Sequence, residues 1–398
     1  MRGSSMKGSD LVDRRKANRM KKRPKVIIIQ RVLSQYRVPF FEGLKVALDS
    51  HQVELDLIHG VGNLKDKKKE FLGRLQWAQE VPEKYLNMGD FFLVFQPYLK
   101  LLKDADLIIV QQELRWLLNY ILLLKRQLGL CRLAFWGHGL NRQADPQSPG
   151  NFIKQKLSSK VDWWFAYTQG VADTVKRIGF PPERITVVQN SIDTSGLLSI
   201  KQAISPADIE QVRRRYNILS SSRVGLFCGA MYKHKRLEFL LQACRRIKQD
   251  MPDFTMIFIG AGPDQHLVQA ACDKNPWMRF AGPLLGKDKV ALYMLADVVL
   301  MPGLVGLTVL DSFCLGVPLI TTDYRFHSPE IEYLENGMNG IITANSLEEY
   351  SQAVISVLHD SDKRERLRQG CRESAARYSL GQMVENFKEG IIQCLAKM

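Results

Sequence analysis

Short apolar runs rich in Ile and Val recur along this chain, with amphipathic stretches of helix length between them, and the series occurs twice. The first series is KVIIIQ (25–30), VELDLIHG (53–60), DLIIVQ (106–111), RLAFWGHG (132–139), VDWWFAYT (161–168) and RITVVQNSID (184–193). The second is VGLFCGA (224–230), FTMIFIGAG (254–262), MRFAG (278–282), VVLM (298–301), VPLI (317–320) and GIIT (340–343). Continuous rather than alternating apolar strands belong to a parallel sheet covered by helices on both faces, so the pattern predicts two doubly wound α/β domains in succession. Residues 1–24 read as a basic flexible tail and 25–195 as the amino-terminal Rossmann-like domain. The polar segment 196–222 reads as an interdomain connection, and 223–380 as the carboxyl-terminal domain. Residues 381–398 read as a helix packing back on the first domain. FFLVFQPYLKLLK (91–103) reads as an apolar-aromatic helix.

Charge divides the chain unequally. Residues 1–200 carry 32 Lys and Arg against 19 Asp and Glu, a net of +13, whereas residues 201–398 carry 24 against 22, a net of +2. Such asymmetry fits an anionic partner for the first half, a membrane surface or a nucleic acid, or else a solvated basic face. The seven cysteines are scattered without a Cys-x-x-Cys pair, and several lie inside apolar runs. Reduced thiols, and with them a cytoplasmic location, are expected. No apolar run reaches the roughly 18 residues of a membrane-spanning helix.

Chemistry in a doubly wound domain sits where strands end. In the second half, Gly229-Ala-Met-Tyr-Lys-His-Lys-Arg236 follows the first strand and brings Lys233, Lys235 and Arg236 to that edge. These cations fit a bound diphosphate or, equally, a solvated helix start. Gly260, Gly262 and Pro263 form a turn after the next strand. Gly303 to Thr308, with Gly306 and Leu307, lies between a strand and the helix TVLDSFCL, where free amides and the helix dipole can hold an anion. Asp311 stands one turn inside that helix, and His327-Ser-Pro-Glu330 follows the next strand. In the first half, His138 stands at a strand end between two glycines, as a structural residue or a substrate contact. No His-x-x-x-His or cysteine-ligand spacing occurs, so a metal-free site is expected. No Gly-x-Ser-x-Gly elbow or P-loop occurs either.

These residues together resemble the family 4 glycosyltransferases of the two-Rossmann-domain GT-B type, over about residues 25 to 395. Gly229 to Lys235 resembles the family's Gly-Arg-x-x-x-x-Lys, GAGP its second-half turn, and Gly303 to Asp311 its two glutamates separated by seven residues. QRVLSQYRVPFF resembles the family's opening, His138 its active-site histidine, and VVQNSID its domain-end motif. The resemblance implies a metal-independent, cofactor-free enzyme that moves a sugar from a nucleotide-diphosphate-sugar donor to a glycan or lipid-linked acceptor with retention at the anomeric carbon. It implies catalytic roles for His138, Lys235 and Asp311, the last gripping the ribose. Donor contacts would come from Gly229, Lys233, Arg236, Gly260, Gly262, Pro263, Gly303, Gly306, Leu307 and Thr308, and acceptor contacts from Tyr36, Arg37 and Asn190. Two departures stand out: Ala230 replaces the family's Arg, and Gly303 its first Glu. The role expected is surface-polysaccharide synthesis, peripheral on the inner membrane face through Lys65, Lys67, Lys68, Lys69 and the 91–103 segment, with no nucleic-acid partner. A non-catalytic sugar-nucleotide or glycan binder, or an epimerase-like enzyme on the same scaffold, is the alternative.

Overall fold

Val26 to Ile29 are apolar on both faces, and both faces are covered: the strand β1 (Lys25–Gln30) has every residue from Val26 to Gln30 buried. The computed structural model describes residues 23–62, 72–88, 91–139 and 149–397. The expected tail therefore lies almost wholly outside the described residues, as do Lys65, Lys67, Lys68 and Lys69. β1 pairs in parallel with β2 (Glu54–His59) and β6 (Leu107–Gln111). With β3 (Gln79–Glu80), β7 (Leu133–Gly137), β8 (Trp163–Ala166) and β9 (Ile185–Val187) they form a seven-stranded sheet ordered β3-β2-β1-β6-β7-β8-β9. Helices α1 (Val38–Asp49), α2 (Leu117–Gln127), α3 (Pro149–Ser158) and α4 (Gln169–Arg177) connect its strands.

One expectation fails here. Residues 91–103 do not open as a helix: β4 (Lys84–Met88) and β5 (Phe91–Phe95) form an antiparallel hairpin in register Lys84 to Phe95. Val94 is fully buried and its neighbour Phe95 exposed, the period-2 burial of a strand, and successive Phe and Val side chains favour a pleated surface over a helix.

The second sheet is ordered β12-β11-β10-β13-β14-β15, its strands being β10 (Arg223–Cys228), β11 (Phe254–Ile259), β12 (Met278–Gly282), β13 (Val298–Leu300), β14 (Leu319–Thr322) and β15 (Gly340–Thr343). All its pairings are parallel. The order reverses direction between β10 and β13, the switch point at which such sheets open a crevice. α5 (Thr194–Ala203) and α6 (Pro206–Arg215) precede this sheet. Its other helices are α7 (Leu237–Asp250), α8 (Gln265–Lys274), α9 (Gly286–Leu295), α10 (Thr308–Leu315), α11 (Leu347–His359), α12 (Ser361–Arg377) and α13 (Leu380–Ala396).

Residues 196–222, read as a connection, are part of this second core: Ile204, Val212 and Ile218 are buried in one cluster with Leu226 and Ile257. Lys201 Nζ donates to the Leu315 carbonyl at 3.0 Å, and Lys287 pairs with Asp208. The segment's charge misleads because its apolar residues are spaced to cover only one face. Each large apolar side chain buried here contributes about 1.5–3 kcal/mol.

Packing groups residues 1–136, 160–164 and 388–398, where described, into one unit, and 137–159 with 165–387 into another. None of the described helices is long and apolar enough to cross a membrane. All seven cysteines are unpaired.

Candidate active site

Three turns meet at the carboxyl edge of the second sheet. One leaves β10 at Cys228 and runs through Gly229 to a 3₁₀ turn at Lys233–Lys235. Another leaves β11 through Gly260 and Gly262, and the third leaves β13 through Pro302 and Gly303 into α10. Backbone hydrogen bonds stitch them together: Met231 N donates to Ala261 O at 2.8 Å, Asp264 N to Met231 O at 3.0 Å, and Leu304 N to His234 O at 2.9 Å. Approach this close excludes side chains. A Cβ on Gly260 would lie 1.9 Å from the Gly229 carbonyl oxygen, and one on Gly303 2.2 Å from that of His234. The glycine where the resembled family has its first glutamate is thus a packing requirement of this chain.

Lys235 is the cation these turns enclose. It is only 5% exposed, and its Nζ donates to the carbonyls of Leu304 (2.5 Å) and Val305 (3.4 Å). Burial pushes its pKa down to about 8, against the opposing pull of Cys228 and Glu330. Carbonyl dipoles orient the ammonium without cancelling its charge.

The expected anion nest is narrower than Gly303 to Thr308. The Leu304 amide is spent on His234 O, and the Val305 amide donates to His327 Nδ1 at 3.3 Å. Amides available to a ligand begin at Gly306 and continue into α10, whose first N–H groups have no intrahelical acceptor. The Thr308 hydroxyl donates to Cys228 O at 3.1 Å, which ties the helix start to β10. Since His327 Nδ1 accepts from an amide, the ring proton sits on Nε2 and donates to Thr322 O at 2.9 Å. Burial lowers the His327 pKa and keeps this tautomer neutral.

Several predicted contacts are structural instead. Arg236 takes a left-handed backbone (φ 56°) to start α7, and its guanidinium bonds Pro302 O (3.3 Å) and Thr322 Oγ1 (3.1 Å) while stacking 4.1 Å over Phe239. It braces the turn after β13. Asn190, expected at an acceptor, is buried: Nδ2 donates to Glu330 Oε1 at 2.5 Å, and its amide donates to the Tyr333 hydroxyl at 2.8 Å. The VVQNSID stretch turns inward there, and Asp193 caps α5 by accepting from the Gly196 amide at 2.9 Å. Arg37 is buried too, its guanidinium 4.9 Å above Trp136 and 5.0 Å from the ring of Tyr36, which is exposed.

Lys233 and Pro263 are exposed on their turns. His138 is exposed at the end of β7, with its ring 4.4 Å from Tyr167. Asp311 is gripped by Lys289, whose Nζ lies 2.8 Å from both carboxylate oxygens. Sequence reasoning passed over Lys289, since no local pattern links it to an acid 22 residues onward. Among the described residues no three His, Cys, Asp or Glu side chains converge on a metal position.

Residues 222–360 match the family model of the glycosyl transferases group 1. That segment contains all three turns, Lys235 and Asp311. The chain is 23% identical over 250 residues to the D-inositol 3-phosphate glycosyltransferase of Salinispora tropica, covering 58% of this chain and 51% of that one. It is 28% identical over 184 residues to spore coat protein SA of Bacillus subtilis, covering 42% and 48%. The chain thus spans about half the length of the curated relatives it matches. Among solved structures, Anabaena HepE in complex with UDP superposes with a TM-score of 0.67 at 14% identity, covering 93% of this chain and 99% of that one. The fold is GT-B: α/β, with parallel sheets in two domains.

Proposed function

We propose that this chain is a retaining glycosyltransferase of the family 4 type, which moves a sugar from a nucleotide-diphosphate-sugar donor to a glycan or lipid-linked saccharide. The observation that carries the reading is Lys235, a buried ammonium held by carbonyls alone beside the amides that open α10. The group 1 family model over 222–360 supports it, as does the binding of UDP and of UDP-glucose by HepE.

The donor's diphosphate would lie between Lys235 and the amides from Gly306 to Thr308. Bond breaking at the anomeric carbon builds negative charge on the departing diphosphate, and preorganised positive charge there lowers the barrier. His138 would hold the sugar, and the leaving phosphate would take the acceptor's proton as the acceptor attacks the same face. The acceptor belongs to the amino-terminal domain in this reading. Leu86, Leu99 and Leu101, exposed near Lys84, Lys100 and Lys103, would rest on anionic lipid, as sedimentation with anionic vesicles at low salt tests.

Release of nucleoside diphosphate that depends on added acceptor tests the function. Donor binding without release would indicate a non-catalytic binder, and turnover without acceptor an epimerase-like or hydrolytic enzyme. A thermal-shift panel of UDP-, GDP- and dTDP-sugars finds the donor, because a ligand that binds only the folded state raises its stability.

A further inference from the structure

At the amino ends of the middle strands of the first sheet lies a cavity of about 770 Å³, lined by none of the residues read above as donor, acceptor or membrane contacts. Asp106, Arg132 and Asp162 border it, each standing one residue ahead of β6, β7 or β8. Lys160, Arg126 from the last turn of α2, and Leu130 from the turn after it also line it. Its acids are largely committed. Asp162 Oδ1 accepts from Arg126 Nε at 3.0 Å and Nη2 at 2.8 Å, and Oδ2 accepts from the Leu133 amide at 3.0 Å. Asp106 Oδ2 accepts from the Lys25 amide at 2.8 Å, while its Oδ1 has no partner among the described residues. Its cations keep donors to spare. Arg132 and Lys160 have no side-chain hydrogen bond or ion pair among the described residues, and Arg126 has none at Nη1. α2 ends at this cavity, yet its last carbonyls are partly satisfied. Around Gly129 (φ +69°), Leu130 N donates to Lys125 O at 2.9 Å and Gly129 N to Arg126 O at 3.0 Å.

We propose that this cavity binds the phosphate group of a hydroxyl-bearing phosphate ester, supplied by a soluble polyol or sugar phosphate or by a phospholipid headgroup. Guanidinium forks match phosphate oxygens two at a time, and an ammonium adds a point charge, so Arg126, Arg132 and Lys160 suit the several oxygens of one phosphate. A bare anion would meet Asp106 Oδ1 as a like charge, whereas a hydroxyl on the ester donates to it. Leu130, 65% exposed on the rim, suits the apolar neighbour of a headgroup as well as a soluble ester. The inference uses no residue of the donor site and stands or falls apart from it.

Calorimetric titration of the full chain with glycerol 3-phosphate, and sedimentation with vesicles of phosphatidylglycerol and phosphatidylcholine or of phosphatidylcholine alone at physiological salt, test this. Saturable binding of glycerol 3-phosphate assigns a soluble ester; sedimentation with the phosphatidylglycerol vesicles alone assigns a headgroup. In either arm Arg132→Gln/Lys160→Gln should weaken binding by about tenfold or more. Neither side chain has a partner to lose, so the melting temperature should hold; should the double variant fold poorly, Lys160→Glu reverses one exposed charge and should act in the same direction. Where the soluble ester binds, ethyl phosphate, which lacks the hydroxyl, should bind several-fold more weakly. No binding of glycerol 3-phosphate or of phosphatidylglycerol vesicles at millimolar concentration overturns the inference. So does binding that these variants leave unchanged, as it would be if the probe sat at Lys235, and so does equal affinity for the two soluble esters.

Discussion

The carboxyl edges of the two sheets differ in where they hold charge. At the second, the buried and half-buried cations have named partners: Lys235 on two carbonyls, Lys289 on Asp311, Arg236 on Pro302 and Thr322. At the first, the last residues of β1 and β6, Gln30 and Gln111, are amides. Gln111 donates to Gln30 Oε1 at 3.0 Å, but Gln30 Nε2 finds no hydrogen-bond partner among the described residues; past β13, the hydroxyls of Thr321 and Ser328 likewise find none. Buried polar groups are almost always satisfied, so both edges still have bonds to make, but only the second, among the described residues, also holds a buried lysine. The contrast teaches that a site for a fixed anionic group is worth preorganising, because charge stabilisation is strongest when nothing must reorganise.

The comparison is broken most severely at Lys235. Lys235→Met, which keeps the volume and removes the charge, should lower acceptor-dependent release by at least about a hundredfold while the urea midpoint moves little. Near-normal turnover would mean that the second edge is not preorganised for an anion. Gly303→Glu, which restores the acid of the resembled family, should destabilise by about 3 kcal/mol or more, since its Cβ meets the His234 carbonyl at 2.2 Å. Gly129→Ala in the first unit is the matched control. Its φ is +69° but nothing lies within 4 Å, so only backbone strain of about 1 kcal/mol is expected. Equal melting temperatures for the two variants would show that the turns of the second edge can part.

Asn190→Ala comes next. It strips a hydrogen bond from the buried carboxylate of Glu330 and should cost about 1.5–3 kcal/mol by urea denaturation, with donor affinity unchanged. A loss confined to acceptor affinity would return Asn190 to the acceptor role that its motif suggested. A gentler probe is pH. Lys235 carries its charge below its pKa of about 8 and loses it above, so nucleoside-diphosphate affinity should weaken as pH rises through 8, with proton uptake on binding above that value. Affinity flat from pH 7 to 9.5 would contradict this. The smallest effect is expected at the first edge. Gln30→Leu should leave stability within about 1 kcal/mol of wild type and lower turnover only through the acceptor.

How much of this was legible beforehand can be argued residue by residue. The strand-end positions of Lys235, Gly260 and Gly303 are legible because turn chemistry is local: a glycine or a lysine just after an apolar run has few places to be. Arg236 and Asn190 sat in equally suggestive stretches yet face inward, since the direction of a side chain depends on what packs against it. Arg236 turned on a left-handed backbone and a phenylalanine three residues on, and Asn190 on a glutamate 140 residues away. The Phe91–Phe95 strand is not legible in the sequence, because an apolar run without its partner strand in view is ambiguous between helix and strand.

The sequence by itself determined the two parallel sheets, the placing of glycines and cations at strand ends, and the uneven distribution of charge. Those properties follow from periodicity and composition, which act over a few residues. Only the tertiary structure decided that Gly303 must lack a side chain, that His327 claims the Val305 amide, and that Asp311 comes paired with a lysine from another helix. Each of these depends on contacts of a few ångströms between segments far apart in the chain, and no local pattern encodes a distance of that kind.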